Sequence, residues 1–212
     1  MNKTVKNVFF NVTYQILNII IPLITAPYIA RVMKPEGVGI YSYSNSIAGY
    51  FAVFMLLGIA NYGSRTIAMN MSSGKRVLSE KFGEMYCFQL ITSLVCITLF
   101  LILIFSFDFK YKTALLAQIF YLLSIALDIS WYFASGFTIK VLQTVAIFSI
   151  VKTEKDIIKY ILIMSFSSFI SMAALWCFTL KQISFVKVSA NGIIQHIKPN
   201  LILFIPALAS SV

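Results

Sequence analysis

The chain has 212 residues, of which 59% are hydrophobic, 15% aromatic and only 11% charged, with a mean hydropathy of +0.88. A charged share less than half that of an ordinary soluble domain excludes a soluble fold. Seventeen Lys and Arg against seven Asp and Glu give a net charge of +10. The basic residues lie between long apolar runs rather than on one polar surface, which argues against a nucleic-acid partner and for the aqueous loops of a multi-span membrane protein.

A helix rising 1.5 Å per residue needs about 20 apolar residues to cross a hydrocarbon core about 30 Å thick. The stretch from Asn7 to Ala30 carries no charge, is long enough to cross, and predicts a first span over 8–31. Lys3 and Lys6 precede it, but the run is too long for a signal-peptide core and no small-residue cleavage site follows. Pro22 and Pro27 inside this span predict a bend, since each removes a backbone donor. Gly37 to Ser64 is the longest charge-free run and predicts a second span over 39–61. The stretch 62–82, with Gly63, Ser72, Ser73 and Gly74, is the longest polar segment and reads as lying partly along the membrane surface. Met85 to Phe107, again without a charge, predicts a third span over 84–107, and Thr113 to Ile139, broken only by Asp128, a fourth over 113–134.

The uncharged run between Lys140 and Lys152 is too short to cross alone. Even Phe137 to Val151 makes only about 22 Å of helix, so the fifth segment, 137–151, is short for a bilayer. Tyr160 to Leu180 is charge-free at full bilayer length and predicts a sixth span over 158–180. Residues 181–198 read as a cytoplasmic connector, and 199–212, uncharged once more, as the start of a seventh span cut in mid-membrane. The expected fold class is an all-α membrane protein, a polytopic helical bundle.

With the N-terminus inside and all six segments crossing, ten basic residues fall in cytoplasmic loops and seven opposite, and the ratio is the same if the short segment does not cross. The excess favours a cytoplasmic N-terminus, because positive charge resists translocation. Tyr62, Tyr86, Tyr111, Trp131 with Tyr132, Tyr160 and Trp176 sit at the expected boundaries, where amphipathic rings suit headgroup depth.

The acids are Glu36, Glu80, Glu84, Asp108, Asp128, Glu154 and Asp156. The close pairs, Glu80 with Glu84 and Glu154 with Asp156, are flanked by lysines and read as solvated charge pairs. Neither paired metal-binding carboxylates nor a phosphate-cradling G-x-x-x-x-G-K-[ST] loop is evident, so an enzyme, a metal site and a cofactor are not expected. His196, the single histidine, reads as a loop residue at a membrane boundary, and Cys87, Cys96 and Cys177 as small apolar fillers.

What remains are polar groups at membrane depth, which are costly in lipid and so tend to face a cavity or the bundle interior. Asp128 either lines a polar path or sits at the headgroup boundary ahead of Trp131. Lys140 either snorkels to the surface or faces a pore. Arg31, Lys34 and Arg65 cap spans, where they attract anionic groups or anchor to lipid phosphates. Gln15, Asn18, Asn45, Gln89 and Gln118 can bond either to neighbouring helices or to a sugar, with helix-to-helix bonding the plainer role. The candidate path residues are therefore Arg31, Arg65, Asp128, Lys140, Asn18 and Asn45.

Four ordered stretches carry a resemblance. Pro27-Tyr28-Ile29-Ala30-Arg31-Val32, with Pro35-Glu36-Gly37 and Gly39-Ile40-Tyr41, resembles the end of the first helix and first loop of bacterial Wzx-type oligosaccharide repeat-unit flippases. Gly58, Asn61-Tyr62-Gly63 and Arg65 resemble the motif after their second helix, Asp128-Ile129-Ser130-Trp131-Tyr132-Phe133 the end of their fourth, and Lys198-Pro199 with Leu201 and Leu203-Phe204-Ile205-Pro206 the start of their seventh. These flippases belong to the multidrug/oligosaccharidyl-lipid/polysaccharide exporter superfamily, in which two six-helix lobes surround a central cavity and rock between inward- and outward-open states. The resemblance reaches one six-helix lobe, residues 1–180, and the opening of the seventh helix. It departs where Ala134-Ser135-Gly136-Phe137 runs almost directly into Lys140-Val141-Leu142, which reads as an internal loss before the fifth helix.

The resemblance implies a multi-pass protein of the bacterial cytoplasmic membrane that moves polyprenyl-pyrophosphate-linked oligosaccharide to the outer leaflet for O-antigen, lipopolysaccharide or capsule synthesis. It implies as partners the lipid bilayer, the lipid-linked sugar and a second lobe or another copy, without which a lone lobe is impaired. Arg31, Arg65 and Asp128 match motif positions. Two other readings are an ion-coupled drug or cation antiporter of the same superfamily and a non-transporting assembly partner of the polysaccharide machinery.

Overall fold

The computed structural model describes residues 3–70, 73–131, 137–184, 186 and 188–211, and the side chains among them except those of 3–15, 17, 18, 137–141, 178, 181, 182 and 205–211. The chain is an all-α membrane protein. Its helices are α1 (Lys3–Leu56), α2 (Ile59–Asn70), α3 (Lys75–Ser106), α4 (Lys112–Ala117), α5 (Ile119–Ala126), α6 (Phe137–Ile150), α7 (Ile157–Gln182), α8 (Ala190–Gln195) and α9 (Ile197–Ser211), with a 3-10 turn at Glu154–Asp156 and no strand among the described residues. Among the described residues three helical runs are long and apolar enough to cross a membrane: residues 19–70, residues 75–106 and residues 154–177.

At 54 residues α1 would be about 80 Å long if straight, far more than one bilayer. It is not straight. Lys34 has φ 56 and ψ 173 and divides the helix into two arms. Proline explains half of this geometry, because the ring of Pro35 pushes the preceding residue out of the helical region into extended ψ. Gly37 supplies room for the turn, since a Cβ there would lie 2.9 Å from Met33 Cβ. The break between the first two predicted spans thus falls at Lys34–Pro35, whereas Pro22 and Pro27, where the sequence predicts a bend inside the first span, keep helical backbone dihedrals.

The fourth predicted span differs as well. It begins as two helices, α4 and α5, meeting at Gln118, and helical structure stops at Ala126. Asp128 ends it, because its Oδ1 accepts from Ser130 N at 2.7 Å, a local turn that competes with continued helix.

Packing forms layers along the bundle. At the end holding the α1 kink, Ile29, Met33, Ile147, Val151 and Tyr160 are buried together, with Ala114, Ala117 and Ile161 beside them. The middle contains Ala48, Ala52, Met55, Phe100, Leu122 and Ala126, whose alanines let helices approach closely. At the opposite end, which carries the connector, Ile59, Ile67, Phe82, Met85, Ile129 and Trp131 form the core. Trp131 lies in this last cluster and Val151, just after α6, in the kink-end cluster. Gln89 and Gln118 bind the layers from within. Gln89 Nε2 donates to the carbonyls of Ile125 and Asp128 at 2.9 and 2.8 Å, and its Oε1 accepts from Trp131 Nε1 at 3.1 Å. Gln118 joins Ser44 and Ser165, from α1 and α7. Both glutamines are buried, which makes them helix-to-helix glue.

Candidate functional site

Because α1 folds at Lys34, its two arms face a common space with α6 and α7. They enclose a cavity of about 600 Å3 lined from the first arm by Ile21, Pro22, Thr25, Ala26, Ile29 and Ala30, and from the second by Val38, Tyr41 and Ser42. Gln143, Thr144 and Ile147 of α6 and Tyr160 and Met164 of α7 complete it. The lining is mostly apolar, with hydroxyl and amide groups from Thr25, Tyr41, Ser42 and Gln143 set into it. Such a surface suits an amphipathic ligand. The kink end of the cavity is closed by contacts that cross between elements. Tyr28 Oη donates to the carbonyl of Val151 at 2.7 Å, the Tyr41 and Tyr160 rings meet edge to face at 5.0 Å, and Lys34 pairs with Glu154 at 2.7 Å.

The sequence candidates do not converge on one point. Arg31 is exposed at the kink end, one residue past the cavity-lining Ala30. Asn45 lies on the second arm in a separate groove of about 370 Å3 with Ser46, Gly49, Tyr50 and Tyr121. Arg65 is exposed near the connector end, in a groove between α2 and α9. Asp128 is half-buried and spends one carboxylate oxygen on the Ser130 turn. Asn18 and Lys140 lie on helical backbone, in α1 and α6, but their side chains are outside the described residues.

At the connector end one reading from sequence is overturned, that of Glu84, and that of His196 gains burial and partners. His196 is buried at 3% exposure between α8 and α9, and Glu84 is buried at 2% inside α3 rather than being a solvated charge. His196 Nε2 lies 2.9 Å from Glu84 Oε2, which also receives Lys81 Nζ at 2.8 Å. Tyr62 Oη is 2.9 Å from His196 Nδ1. An ionised carboxylate can only accept, so Nε2 carries a proton, and in the neutral ring the Tyr62 hydroxyl donates to Nδ1. Gly192 makes the seat possible: a Cβ there would come within 1.9 Å of Glu84 Oε1.

The motif residues meet here. Gly58, at φ +79, packs against the α9 backbone, where a Cβ would approach Asn200 O and Phe204 N at 2.7 and 2.8 Å. Gly63 packs under the Trp131 indole, with a Cβ position 2.8 Å from Cε3. Residues that stand in three separate stretches of sequence are thus one junction in space.

A family model described as polysaccharide biosynthesis protein matches residues 4–141 of the chain. The chain belongs to the polysaccharide biosynthesis protein family. The match holds both arms of α1, α2, α3, α4, α5 and the start of α6, and so includes the motifs around Pro27, Asn61 and Asp128. Membership in this family and the helical membrane architecture make it a transporter-like protein of polysaccharide synthesis, with the bilayer and a lipid-linked sugar as its partners. No curated protein and no solved structure matches the chain.

Proposed function

We propose that this polysaccharide biosynthesis protein is a lobe of a Wzx-type flippase, moving polyprenyl-pyrophosphate-linked oligosaccharide repeat units across the bacterial cytoplasmic membrane for O-antigen or capsule synthesis, with its N-terminus cytoplasmic. The observation that carries the reading is the cavity between the two α1 arms, α6 and α7 in a chain of this family. Its apolar walls suit the prenyl chain, and its hydroxyl and amide groups suit sugar hydroxyls. Arg31, exposed one residue past the cavity-lining Ala30, would be the cation that holds a pyrophosphate by charge-assisted hydrogen bonds. Alternating access moves one lobe against another around such a space, so a facing lobe completes the path.

The test is reconstitution into liposomes with a fluorescent lipid-linked oligosaccharide whose label is quenched from one side. Translocation should require a facing lobe and should fall on Arg31→Ala. Translocation by these 212 residues alone overturns the single-lobe part. Proton- or sodium-driven dye efflux that Asp128→Asn abolishes, with no movement of the lipid-linked sugar, overturns the flippase in favour of an antiporter.

A further inference from the structure

We infer that the connector end carries a binding site for an anionic phospholipid of the surrounding leaflet, clamped between α2 and α9. Two shallow grooves meet there and share Ile202. The first, about 450 Å3, has a polar wall on α2 made by Tyr62, Arg65, Thr66 and Asn70, and an apolar wall on α9 made by Pro199, Ile202 and Leu203. The second, about 400 Å3, runs over Ile194, Ile197 and Leu201 beside Lys198. The apolar strip is open: Met69 is 70% exposed, Ile194 60% and Ile202 59%. A cation stands on each side of the strip, and neither Arg65 nor Lys198 has an ion-pair partner among the described residues.

This pattern has one chemical complement. Apolar area of this size asks for a hydrocarbon chain, and two unpaired cations at its edges ask for a phosphate. The depth agrees. Tyr86 and Trp176, half-buried and in edge-to-face contact, lie at the same end, and Trp and Tyr settle at headgroup level. Arginine there can grip a phosphate through two parallel N–H groups. The grooves are open troughs and not enclosed pockets, which suits a lipid arriving sideways from the bilayer. The site also has a rigid floor, since Tyr62, which lines the first groove, is held by buried His196. A bound lipid would therefore bridge α2 to α9 and brace the junction formed by Gly58 and Asn200. None of this uses the cavity between the α1 arms, so its failure leaves the reading of that cavity untouched.

Native mass spectrometry of the full chain in neutral detergent, titrated with phosphatidylglycerol or phosphatidylcholine, tests it. Phosphatidylglycerol should bind preferentially, and Arg65→Ala and Lys198→Ala should each weaken it about fivefold, as one surface cation is worth against an anionic lipid. Arg65→Lys should recover most of the loss, and circular dichroism of each variant should match the parent's. Equal binding of both lipids overturns the inference, as does undiminished phosphatidylglycerol binding by the folded double variant. A prenyl phosphate that displaces phosphatidylglycerol at far lower concentration overturns the choice of a bilayer lipid as occupant. Inorganic phosphate alone should not compete; if it does, the apolar strip plays no part and the inference falls.

Discussion

Glu84 and His196 are 112 positions apart in sequence, yet their side chains meet at 2.9 Å with both buried. Their bond ties the connector to α3, and Tyr62 extends the tie to α2. Removing the imidazole leaves the buried Glu84 carboxylate with Lys81 as its ion pair but without the hydrogen bond from His196, and leaves the Tyr62 hydroxyl without its nitrogen. Loss of a hydrogen bond to a charged group costs about 1.5–3 kcal/mol, and the second bond is lost with it, whereas loss of one neutral hydrogen bond costs about 1 kcal/mol. His196→Ala should therefore lower the unfolding midpoint in detergent far more than Tyr62→Phe. Equal shifts would mean that the carboxylate, not the hydroxyl, tolerates the loss.

Gly192 should behave as part of the same unit. With a Cβ position 1.9 Å from Glu84 Oε1 and 2.5 Å from Cδ, an alanine there cannot coexist with the observed carboxylate. Gly192→Ala should destabilise by a similar amount, about 2 kcal/mol, by displacing Glu84 from His196. In a His196→Ala background the carboxylate is already released, so the two losses should be strongly non-additive. Thermal unfolding of the two single variants and the double variant closes the cycle; additive shifts would show that Gly192 acts elsewhere.

At the Gly63–Trp131 contact the indole does two things. It stacks on Phe82 with centroids 5.2 Å apart, and its Nε1 donates to Gln89 Oε1. Trp131→Phe keeps a ring and leaves a buried acceptor, which costs about 1–3 kcal/mol. Trp131→Ala also empties the space over Gly63, for about 3–5 kcal/mol. Gly63→Ala should harm the parent but be tolerated once Trp131 is alanine. Chemical denaturation of the four proteins reads this, and a Gly63→Ala penalty that persists without the indole would place the clash on another neighbour.

These contacts mark where the sequence stops being informative. Membrane depth is written in charge-free runs, so the helical segments and the buried, bridging roles of Gln89 and Gln118 are legible. Azimuth is not. The spans also put Arg31 and Arg65 at opposite ends, one crossing apart, but a run free of charge lacks the polar face that would orient a helix, so nothing in it tells that Asn45 opens into a different groove from Ala26. His196 and Glu84 escape for a related reason. Each looks solvated among its own polar neighbours, and only the fold of the connector under α3 buries them. Gly192 is the one local signal, a small residue four before the histidine. The break of α1 near Pro35 is legible as the gap between two charge-free runs, but the continuity of helix on both sides of it and the positive φ of Lys34 are not.

That φ makes Lys34 itself testable. A lysine at φ 56 and ψ 173 lies at the edge of a region used almost only by glycine, which costs on the order of 1–3 kcal/mol. Lys34→Gly should relieve the strain and raise the midpoint, less what is lost with the exposed ion pair to Glu154. Glu154→Gln isolates that second effect and should lower the midpoint only slightly, and less still at high salt. A fall in the midpoint on Lys34→Gly would show that the lysine's contacts outweigh the strained backbone.

The cavity between the α1 arms yields the functional prediction. Ala26 faces it from the first arm and is exposed, so a larger side chain there enters open space and not the close-packed core. Ala26→Trp should leave the unfolding midpoint near the parent's, since substitutions at exposed positions usually change stability by less than about 0.5 kcal/mol. It should nevertheless obstruct a lipid-linked oligosaccharide that uses this space, reducing translocation in the assembly proposed above about tenfold or more, the factor that corresponds to about 1.4 kcal/mol of added barrier. Ala26→Ser, small and polar, should transport like the parent. Should the tryptophan variant translocate normally while folded, the substrate does not pass between α1, α6 and α7, and the groove beside Asn45 becomes the place to block next.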